Sequence, residues 1–458
     1  MHEKRGADMQ GKKVTVVGLA RTGVAVANLL TERGCSVTVT DIKSPDELSE
    51  NVAKLKKGIN LDLGRHTERF FTEADLIIIS PGVRIDNPLL EKARKKRVEI
   101  ISEIELAFTL TQTPLIAVTG TNGKSTTTTL IGNILKECGK KVVVGGNIGD
   151  PLVDEIVKGG DKDFIVAEIS TFQLEAVKTF RPHISVILNI SPDHLDRHQD
   201  IEEYIGLKKR IYMNQRESDY LILNYDDPVL KQLKSDIVSQ VLFFSKNRMD
   251  ERGVFVDGNE IFFNDQKGTR KIGVLEELGE MGKRNLENVL AVLTSGLVLR
   301  LDKEGMFRAV RDFQGLPHRI EFVKEIKGVK FINDSKGTNV GAVINSLNSF
   351  SEPIVLIAGG KDKGSDYELL KEHIRGRVKK IVLLGESREK MRKALNGECK
   401  INMAENLQEA VIKSFEKAGP GDVVLFSPAC ASFDMFKDFE DRGNQFKEIV
   451  RGLCDKKS

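Results

Sequence analysis

A glycine-rich loop at residues 120–126 has the residue types that bind a polyphosphate. It follows an apolar run and precedes apolar residues at helical spacing, which predicts a strand, a loop and a helix. Two glycines allow the backbone N–H groups to turn inward, and a lysine adds positive charge. An ordinary turn with a solvated lysine is the alternative. The predicted polyphosphate-binding residues are Gly120, Thr121, Asn122, Gly123, Lys124, Ser125 and Thr126.

The loop departs from the usual Walker pattern at one position. Val118 stands six residues before Lys124, where that pattern has its first glycine. The chemistry survives this change, because the GKST stretch still lies where a predicted strand gives way to a predicted helix.

Ser125 and Glu168 are predicted magnesium ligands. Glu168 lies at the end of an apolar run, residues 164–169, which predicts a buried strand. A carboxylate at a strand end beside a phosphate loop, together with a hydroxyl group, supplies the oxygen ligands that Mg²⁺ prefers. A solvated glutamate is the alternative, and the apolar residues before Glu168 favour the metal role.

A histidine and two aspartates follow the next predicted strand, residues 184–190. Asp193, His194 and Asp196 lie in the stretch SPDHLDRH, at the same predicted edge of the sheet as the glycine loop. They could hold a metal or position a substrate, and their spacing alone does not choose between these roles.

Lys208 lies on the apolar face of a predicted helix, residues 201–214. Steps of three and four residues place it with Tyr204 and Ile211. A desolvated lysine can lose its proton and become reactive. A lysine whose stem is buried and whose charge reaches water is the alternative, and the residues alone favour it.

The first hundred residues predict a nucleotide-binding βα unit. GLARTG opens a helix after a strand, and Asp41 ends the next strand, as in a dinucleotide fingerprint. Ala20 replaces the middle glycine, and its Cβ obstructs the closest approach of a pyrophosphate. We therefore predict a Rossmann-like nucleotide site with Thr22 and Asp41 as polar contacts, or else a plain βαβ turn.

Two further turns contribute candidate ligand contacts. Ser80 and Gly82 follow the buried strand predicted at residues 75–80, and ligands bind at that edge of a parallel sheet. GGNIG is a second glycine-rich bend, which lets Asn147 approach a ligand, although a tight turn with a structural asparagine explains it nearly as well.

The last third of the chain predicts another αβ sheet whose strands end in loops with anion-binding residues. Four apolar runs stop at polar or glycine-rich stretches, so one sheet edge collects them. Solvated loops would also be polar. The residues at this edge are Asp334, Ser335, Lys336, Thr338, Lys361, Lys363 and Ser432.

Length and composition predict a multidomain globular protein. The 458 residues suggest about three domains. With 70 basic and 67 acidic side chains the formal charge is only +3, so no overall field calls for nucleic acid or a membrane surface. No apolar run is long enough to insert into a membrane, and a cytoplasmic location is expected. The five scattered cysteines argue against a disulfide framework or a zinc site.

Several motifs together resemble the Mur ligase family of peptidoglycan synthesis. They are TGTNGKST, AEISTFQLE, LNISPDHLDRH, KKRIY, GLPHR, INDSKGTN and SPACASFDMFKDFEDRGNQF, and they cover essentially the whole chain. The last four, with GGNIG, are most similar to the family members that add D-glutamate.

The resemblance implies an α/β protein with three domains. Residues 1–103 would form a Rossmann-like domain that binds the UDP-substrate. Residues 104–315 would form a P-loop ATPase domain with a mostly parallel sheet and a small antiparallel sheet. Residues 316–458 would form a second Rossmann-like domain with contacts to ATP and D-glutamate.

The resemblance also implies a reaction. ATP would phosphorylate the carboxylate of UDP-N-acetylmuramoyl-L-alanine, and the amine of D-glutamate would attack the acyl phosphate. The expected protein is a monomer that uses small-molecule substrates and two Mg²⁺ ions, with no nucleic acid partner. Another Mur ligase step or a folylpolyglutamate synthase is the alternative enzyme. A non-catalytic nucleotide sensor is the alternative of another class, and a dehydrogenase is disfavoured by Ala20.

By the same resemblance, Lys124, Glu168, His194 and Lys208 would be catalytic. Lys208 would carry a carbamate and would bind metal with Ser125, Glu168 and His194. The other implied contacts are Asn285, Asn288, Arg319, Asp334 and Lys336 for ATP; Thr22, Asp41, Ser80, Gly82 and Asn147 for the UDP-substrate; and Thr338, Lys363, Ser432 and Phe433 for D-glutamate.

Three positions depart from the family pattern or leave a choice. Arg284 stands where relatives often have histidine. Lys361 is a second cation beside Lys363, and either could meet D-glutamate. Lys209 adjoins Lys208, which we prefer because it stands three residues before Ile211.

Overall fold

The computed structural model describes residues 9–192, 197, 200–233, 237–265 and 267–453. The chain divides into two compact units, Met1–Ile190 with Ile201–Phe313, and Ser191–Asp200 with Gln314–Ser458. The first unit contains two sheets and the second unit contains one. The predicted α/β class with three sheet domains is confirmed. Within the described residues, no helix is long and apolar enough to cross a bilayer.

The first sheet has five parallel strands within the described part of the chain, in the order β3-β2-β1-β4-β5. The strand order reverses on either side of β1, which puts the turns after β1 and β4 at the ligand-binding edge. Its elements are β1 (Lys13–Val17), α1 (Arg21–Glu32), β2 (Ser36–Asp41), α2 (Ser49–Val52), β3 (Asn60–Leu63), α3 (Arg69–Thr72), β4 (Leu76–Ile79), α4 (Pro88–Lys95), β5 (Glu99–Ser102) and α5 (Glu103–Thr109).

The central sheet has nine strands among the described residues, in the order β14-β13-β12-β11-β10-β9-β6-β8-β7. Two hairpins, β12 with β13 and β13 with β14, are antiparallel and complete one edge of the sheet. Its elements are β6 (Leu115–Thr119), α6 (Lys124–Glu137), β7 (Val142–Gly146), α7 (Leu152–Val157), β8 (Phe164–Glu168), α8 (Thr171–Leu174), β9 (Ile184–Ile187), α9 (Ile201–Lys209), β10 (Tyr220–Asn224), α10 (Pro228–Lys231), β11 (Gln240–Ser245), β12 (Gly253–Asp257), β13 (Glu260–Asp265), β14 (Gly268–Val274), α11 (Gly279–Arg284), α12 (Leu286–Val298) and α13 (Lys303–Arg311).

The third sheet has six strands in the described residues, in the order β15-β16-β20-β17-β18-β19, and only β15 is antiparallel to its neighbour there. Because β16, β20 and β17 are adjacent and parallel, the loops at their carboxyl ends meet. Its elements are β15 (Glu321–Ile326), β16 (Val329–Asn333), α14 (Val340–Asn348), β17 (Ile354–Gly359), α15 (Lys371–Ile374), β18 (Val378–Leu384), α16 (Arg388–Ala394), β19 (Lys400–Met403), α17 (Leu407–Lys417), β20 (Val423–Phe426) and α18 (Phe439–Gly452).

Two predicted elements are too long. The helix predicted to residue 214 ends at Lys209, because the next N–H groups donate three residues back, as Arg210 does to Leu207, and the chain tightens into turns. The strand predicted to residue 190 ends at Ile187, and a polar turn follows it. In that turn the Ile190 N–H donates to the Asp227 carboxylate at 2.7 Å instead of to a neighbouring strand.

Buried carboxylates on α5 join the first and central sheets of the first unit. Glu105 is 2% exposed and accepts hydrogen bonds from the N–H groups of Lys178, Thr179 and Phe180 and from the Thr179 hydroxyl. Glu103 accepts from Val153 N at 2.7 Å, and burial raises its pKa to about 7. A buried charge is tolerated only where donors surround it, so Glu105 anchors the segment between the two sheets.

Candidate active site

The glycine loop joins β6 to α6 as the sequence predicts. Gly120 has a φ of 148° and Gly123, the residue before α6, has a φ of 84°. L side chains rarely adopt these angles, so both positions favour glycine. A Cβ on Gly123 would collide with Oδ1 of Asn288, which places the Asn288 amide directly over the loop. Asn285 precedes α12 and donates to Met281 O at 2.8 Å rather than capping its helix.

Asn189, which the sequence analysis missed, holds the start of the loop. The N–H groups of Thr121 and Asn122 donate to Asn189 Oδ1 at 3.1 and 2.8 Å. These two N–H groups therefore face Asn189, and the N–H groups at the start of α6 remain for an anion. Lys124 Nζ lies over the loop and donates to Gly120 O and Thr121 O at 2.9 and 2.8 Å.

Glu168 is buried at the end of β8, beside the strand that leads into the loop. It is 3% exposed, and its neighbour in the register of β6 is Val118. Asn147 donates its side-chain amide to Glu168 Oε1 at 2.8 Å, so the GGNIG bend and Glu168 are in contact. Within the described residues Glu168 Oε2 is buried without a hydrogen-bond partner. A buried carboxylate oxygen that accepts no hydrogen bond can bind a cation.

Lys208 is 2% exposed and reaches the same loop. Its Nζ donates to Gly120 O at 2.9 Å and lies 4.3 Å from the centre of the Tyr204 ring. The Tyr204 hydroxyl is 3.1 Å from Thr121 Oγ1. Lys208 lies on the inward face of its helix as predicted, but the favoured interpretation, a lysine whose charge reaches water, is wrong, because the whole side chain is buried. The adjoining Lys209 is only half-buried.

The acidic and histidine stretch after β9 cannot be placed in this geometry. Asp193, His194 and Asp196 lie outside the described residues. Among the residues that are described, no group of three or more His, Cys, Asp or Glu side chains could hold a metal ion.

The turns after β1 and β4 meet at the edge of the first sheet. Asp41 accepts hydrogen bonds from Leu19 N at 2.7 Å and Lys43 N at 3.0 Å, so it holds the first glycine turn. Ser80 is buried and donates to Gly18 O at 3.1 Å. Thr22 is half-buried and Gly82 is exposed.

Arg21 connects this edge to the central sheet. It donates to the carbonyl oxygen of Gly149, at the end of the GGNIG bend that contains Asn147. The predicted UDP-substrate residues of the first sheet and Asn147 therefore belong to neighbouring loops of one compact unit.

Asp334 lies beneath the loop surface of the third sheet. It accepts from the hydroxyl groups of Ser346 and Ser427, both at 2.6 Å, and from Ile320 N at 3.2 Å. Burial raises its pKa to about 6. Both carboxylate oxygens are occupied by protein donors, so Asp334 acts here as a support for the adjoining loops.

Arg319 lies just before β15, and the other predicted residues of this unit lie in the loops after β16, β17 and β20. Lys336 Nζ lies 3.6 Å from the centre of the Phe439 ring. Lys361 N donates to Ala431 O at 2.9 Å, which ties two of these loops together. Ser432 is buried, Phe433 is 67% exposed, and Arg319, Thr338 and Lys363 are half-buried.

Arg442, a second residue that the sequence analysis missed, holds these loops from below. It is 1% exposed and donates to Ser335 O at 2.7 Å, Cys430 O at 3.1 Å and Ala431 O at 3.2 Å. Burial lowers its pKa to about 10. Arg442 belongs to the quoted FKDFEDRGNQF stretch, but only the fold reveals its acceptors.

Three domain families match successive parts of the chain. They are the MurD-like N-terminal domain of Mur ligases at residues 12–102, the Mur ligase middle domain at 118–296, and the Mur ligase glutamate ligase domain at 318–430. A relative from Citrifermentans bemidjiense is 46% identical over 445 residues, which cover 97% of this chain and 98% of that protein. The chain belongs to the Mur ligase family.

Two relatives from this family have the same name. The protein from Citrifermentans bemidjiense is a UDP-N-acetylmuramoylalanine–D-glutamate ligase. So is a protein from Geotalea daltonii, which is 46% identical over 449 residues, or 98% of this chain and 99% of that one.

Solved Mur ligase structures share the fold at much lower identity. The MurF ligase of Thermotoga maritima, in complex with ADP, has a TM-score of 0.61 and 16% identity, over 98% of this chain and all of that one. The UDP-N-acetylmuramate-alanine ligase MurC of the same organism has a TM-score of 0.58 and 21% identity, over 96% of this chain and all of that one.

Proposed function

We propose that this Mur ligase is an ATP-dependent enzyme that adds D-glutamate to UDP-N-acetylmuramoyl-L-alanine in peptidoglycan precursor synthesis. The observation that carries the proposal is 46% identity, along nearly the whole chain, to ligases named for that reaction. Lys124, Glu168 and Lys208 around one glycine loop supply the charged groups that phosphoryl transfer requires.

The reaction has two chemical steps. A carboxylate oxygen of UDP-N-acetylmuramoyl-L-alanine attacks the terminal phosphorus of ATP, and ADP leaves. The neutral amine of D-glutamate then attacks the acyl carbon, and the tetrahedral intermediate loses a proton from nitrogen and collapses to an amide and inorganic phosphate. Water must be excluded between the steps, because it would hydrolyse the acyl phosphate.

The glycine loop would bind and orient the ATP phosphates. Residues 120–126 are the proposed contact segment, and the first N–H groups of α6 face an anion favourably. Lys124, held over the loop by Gly120 O and Thr121 O, would move onto the transferring phosphoryl group and balance its negative charge. Asn285 and Asn288 would add contacts from α12.

Magnesium fits the residues of this site. Glu168 Oε2 is a buried oxygen without a hydrogen-bond partner among the described residues, and the Ser125 side chain is buried in the first turn of α6. Bound Mg²⁺ would neutralise charge on the phosphates. We propose Ser125, Glu168, His194 and the carbamate of Lys208 as its ligands, for two ions, with His194 outside the described residues.

Carbamylation of Lys208 would convert a buried cation into an anionic oxygen donor. The neutral Nζ amine would form a bond to the carbon of CO₂ and release one proton. The burial of Lys208 beside the loop supports this proposal, because a desolvated lysine gives up its charge readily. The amine would no longer donate to Gly120 O in that state.

The remaining proposed contacts serve the three substrates. Arg319 and Lys336 would meet ATP, and Asp334 would act on ATP through the loops that it supports. Cations and hydroxyl donors suit a dicarboxylate, so either Lys363 or Lys361 would bind D-glutamate. The other D-glutamate contacts would be Thr338, Ser432 and Phe433, and the UDP-substrate contacts would be Thr22, Asp41, Ser80, Gly82 and Asn147.

We also propose the domain limits 1–103, 104–315 and 316–458. The three sheets fall within these ranges, and the segment between β5 and β6 joins the first two. The enzyme is further proposed to act as a cytoplasmic monomer on small-molecule substrates. No nucleic acid partner is proposed, and the formal charge of only +3 agrees with that.

An amino-acid panel tests the function. The purified chain is incubated with ATP, Mg²⁺ and UDP-N-acetylmuramoyl-L-alanine, and phosphate release is measured with D-glutamate, L-glutamate, L-alanine and meso-diaminopimelate. We expect release with D-glutamate only. A parallel reaction replaces the UDP-substrate with a folate. Turnover with meso-diaminopimelate, or with L-glutamate on the folate, would assign the chain to a related ligase. ATP binding without any product would assign it to a nucleotide sensor.

A further inference from the structure

The turn after β9 fastens the start of the phosphate loop. Thr119 and Ile187 are neighbours in the register of β6 and β9, so the two chains leave the sheet side by side. Leu188 N then donates to Thr119 O at 3.1 Å. The next residue, Asn189, therefore lies beside the first residues of the loop.

Asn189 makes four hydrogen bonds to two consecutive loop residues. Thr121 N donates to Asn189 O at 3.0 Å and to Oδ1 at 3.1 Å. Asn122 N donates to Oδ1 at 2.8 Å, and Asn189 Nδ2 donates back to Asn122 O at 3.2 Å. The side chain thus uses both its acceptor and its donor on the loop, which an ionised aspartate could not do, because it has no donor.

The residues on either side of Asn189 are held by the last residue of β10 and by the turn between β10 and α10. Asn224 donates its side-chain amide to Leu188 O at 3.0 Å, and the Asp227 carboxylate accepts from Ile190 N at 2.7 Å. The backbone around Asn189 is therefore fixed before any ligand binds. The Asn189 side chain transmits that order to the loop.

We infer that Asn189 is a positioning residue for nucleotide binding. It turns the N–H groups of Thr121 and Asn122 away from the phosphate side and sets the backbone angle at which the loop enters α6. Asn189 does not have to touch the reacting atoms. The loop loses its conformational entropy when the protein folds and not when ATP binds, so ATP binds to a preorganised site.

The test compares Asn189→Ala with the wild type and a matched control, Asn214→Ala. Asn214 lies in the same unit, and its side-chain amide donates to Lys178 O at 2.9 Å and Phe180 O at 3.1 Å. Binding of a non-hydrolysable ATP analogue with Mg²⁺ is measured by calorimetry, and KM and kcat are measured for ATP and D-glutamate.

We expect Asn189→Ala to weaken analogue binding and raise the KM for ATP by about tenfold, because three neutral side-chain hydrogen bonds to the loop are lost. The KM for D-glutamate and the values of Asn214→Ala should stay near wild type. Asn189→Asp retains the accepting oxygen but loses the donor to Asn122, and it should also weaken analogue binding. If Asn189→Ala does not fold, Asn189→Asp tests the positioning role in its place.

Unchanged analogue affinity in both Asn189 variants would overturn the inference. A loss of kcat with an unaltered KM for ATP would also overturn it, because that result would assign Asn189 to the chemical step. The inference rests on the nucleotide-binding part of the proposed function. If the wild type binds the analogue but does not use D-glutamate, the proposed function fails while the role of Asn189 is still measured.

Discussion

Lys208 donates a hydrogen bond from Nζ to the carbonyl oxygen of Gly120 at 2.9 Å. The lysine lies on α9 and the glycine opens the phosphate loop, 88 residues earlier in the chain. This contact brings the proposed carbamate position to the proposed ATP site. The chemistry assigned to Lys208 can therefore be tested separately from that of the loop.

Replacing Lys208 with alanine should abolish ligation. The variant lacks both the amine and any anionic group formed from it, and loss of one electrostatic contributor typically lowers turnover by about 100-fold or more. Formate or acetate should restore part of the activity by supplying a small carboxylate. Phosphate release with and without the added acid is the measurement.

Lys209→Ala is the matched control for Lys208→Ala. Lys209 is the next residue of the same helix and is only half-buried, so its loss should leave turnover close to wild type. Full activity in Lys208→Ala would remove Lys208 from the mechanism. Inactivity in Lys209→Ala alone would assign the role to Lys209 instead.

Glu168→Gln should weaken magnesium use. The substitution keeps the size of the side chain and an oxygen that can accept from Asn147, but it removes the negative charge at the buried Oε2 position. We expect activity to fall by about 100-fold and the half-saturating Mg²⁺ concentration to rise. A Mg²⁺ titration of phosphate release measures both.

Glu137→Gln serves as the comparison for Glu168→Gln. Glu137 is on the exposed side of α6, where it pairs with Arg308, and its loss should not change the Mg²⁺ dependence. An identical Mg²⁺ curve for Glu168→Gln and the wild type would contradict the metal role.

Glu103 should make stability depend on pH. Burial raises its pKa from the ordinary 4.5 to about 7, so the folded chain holds this proton more tightly than the unfolded chain. The stability contributed by the protonated form is present below pH 4.5 and is lost as the pH rises through about 7. The loss amounts to about 3 kcal/mol of unfolding free energy.

Glu103→Gln should remove that part of the pH dependence, because its neutral amide oxygen can still accept from Val153 N. Urea unfolding of the variant and the wild type between pH 5 and pH 8 measures the difference in how their unfolding free energies change with pH. Glu50→Gln, at an exposed position of α2, should retain the wild-type slope. Parallel pH curves for wild type and Glu103→Gln would refute the prediction.

Glu105→Ala should destabilise the first unit strongly. The substitution leaves three backbone N–H groups, of Lys178, Thr179 and Phe180, without their carboxylate acceptor. Leaving a buried N–H donor without an acceptor costs about 1–3 kcal/mol for each group. Urea unfolding at pH 7 is the measurement.

Glu99→Ala offers a surface comparison for Glu105→Ala. Glu99 pairs with Lys178 at 3.1 Å, and its side chain is 56% exposed, so the loss should be about 1 kcal/mol or less. Equal losses for the two variants would mean that Glu105 does not anchor the segment between the two sheets.

The local elements and the predicted chemistry of the phosphate loop follow from neighbouring residues along the chain. Apolar runs predict β4 and β8 to within one or two residues, and the glycine spacing predicts the turn between Gly120 and Gly123. These features depend on neighbours along the chain. The helical step that turns Lys208 inward is local for the same reason.

The tertiary structure alone decided which polar groups meet. Asn189 fixes Thr121 and Asn122 from 67 or 68 positions away, and Asn147 approaches Glu168 across 21 residues. Asp41 and Asp334 are predicted to contact ligands, but their carboxylates accept hydrogen bonds from groups of the protein itself. Such pairings depend on the order and register of the strands, because parallel packing brings the ends of distant strands to one edge of the sheet. No short-range sequence pattern encodes the order of the strands.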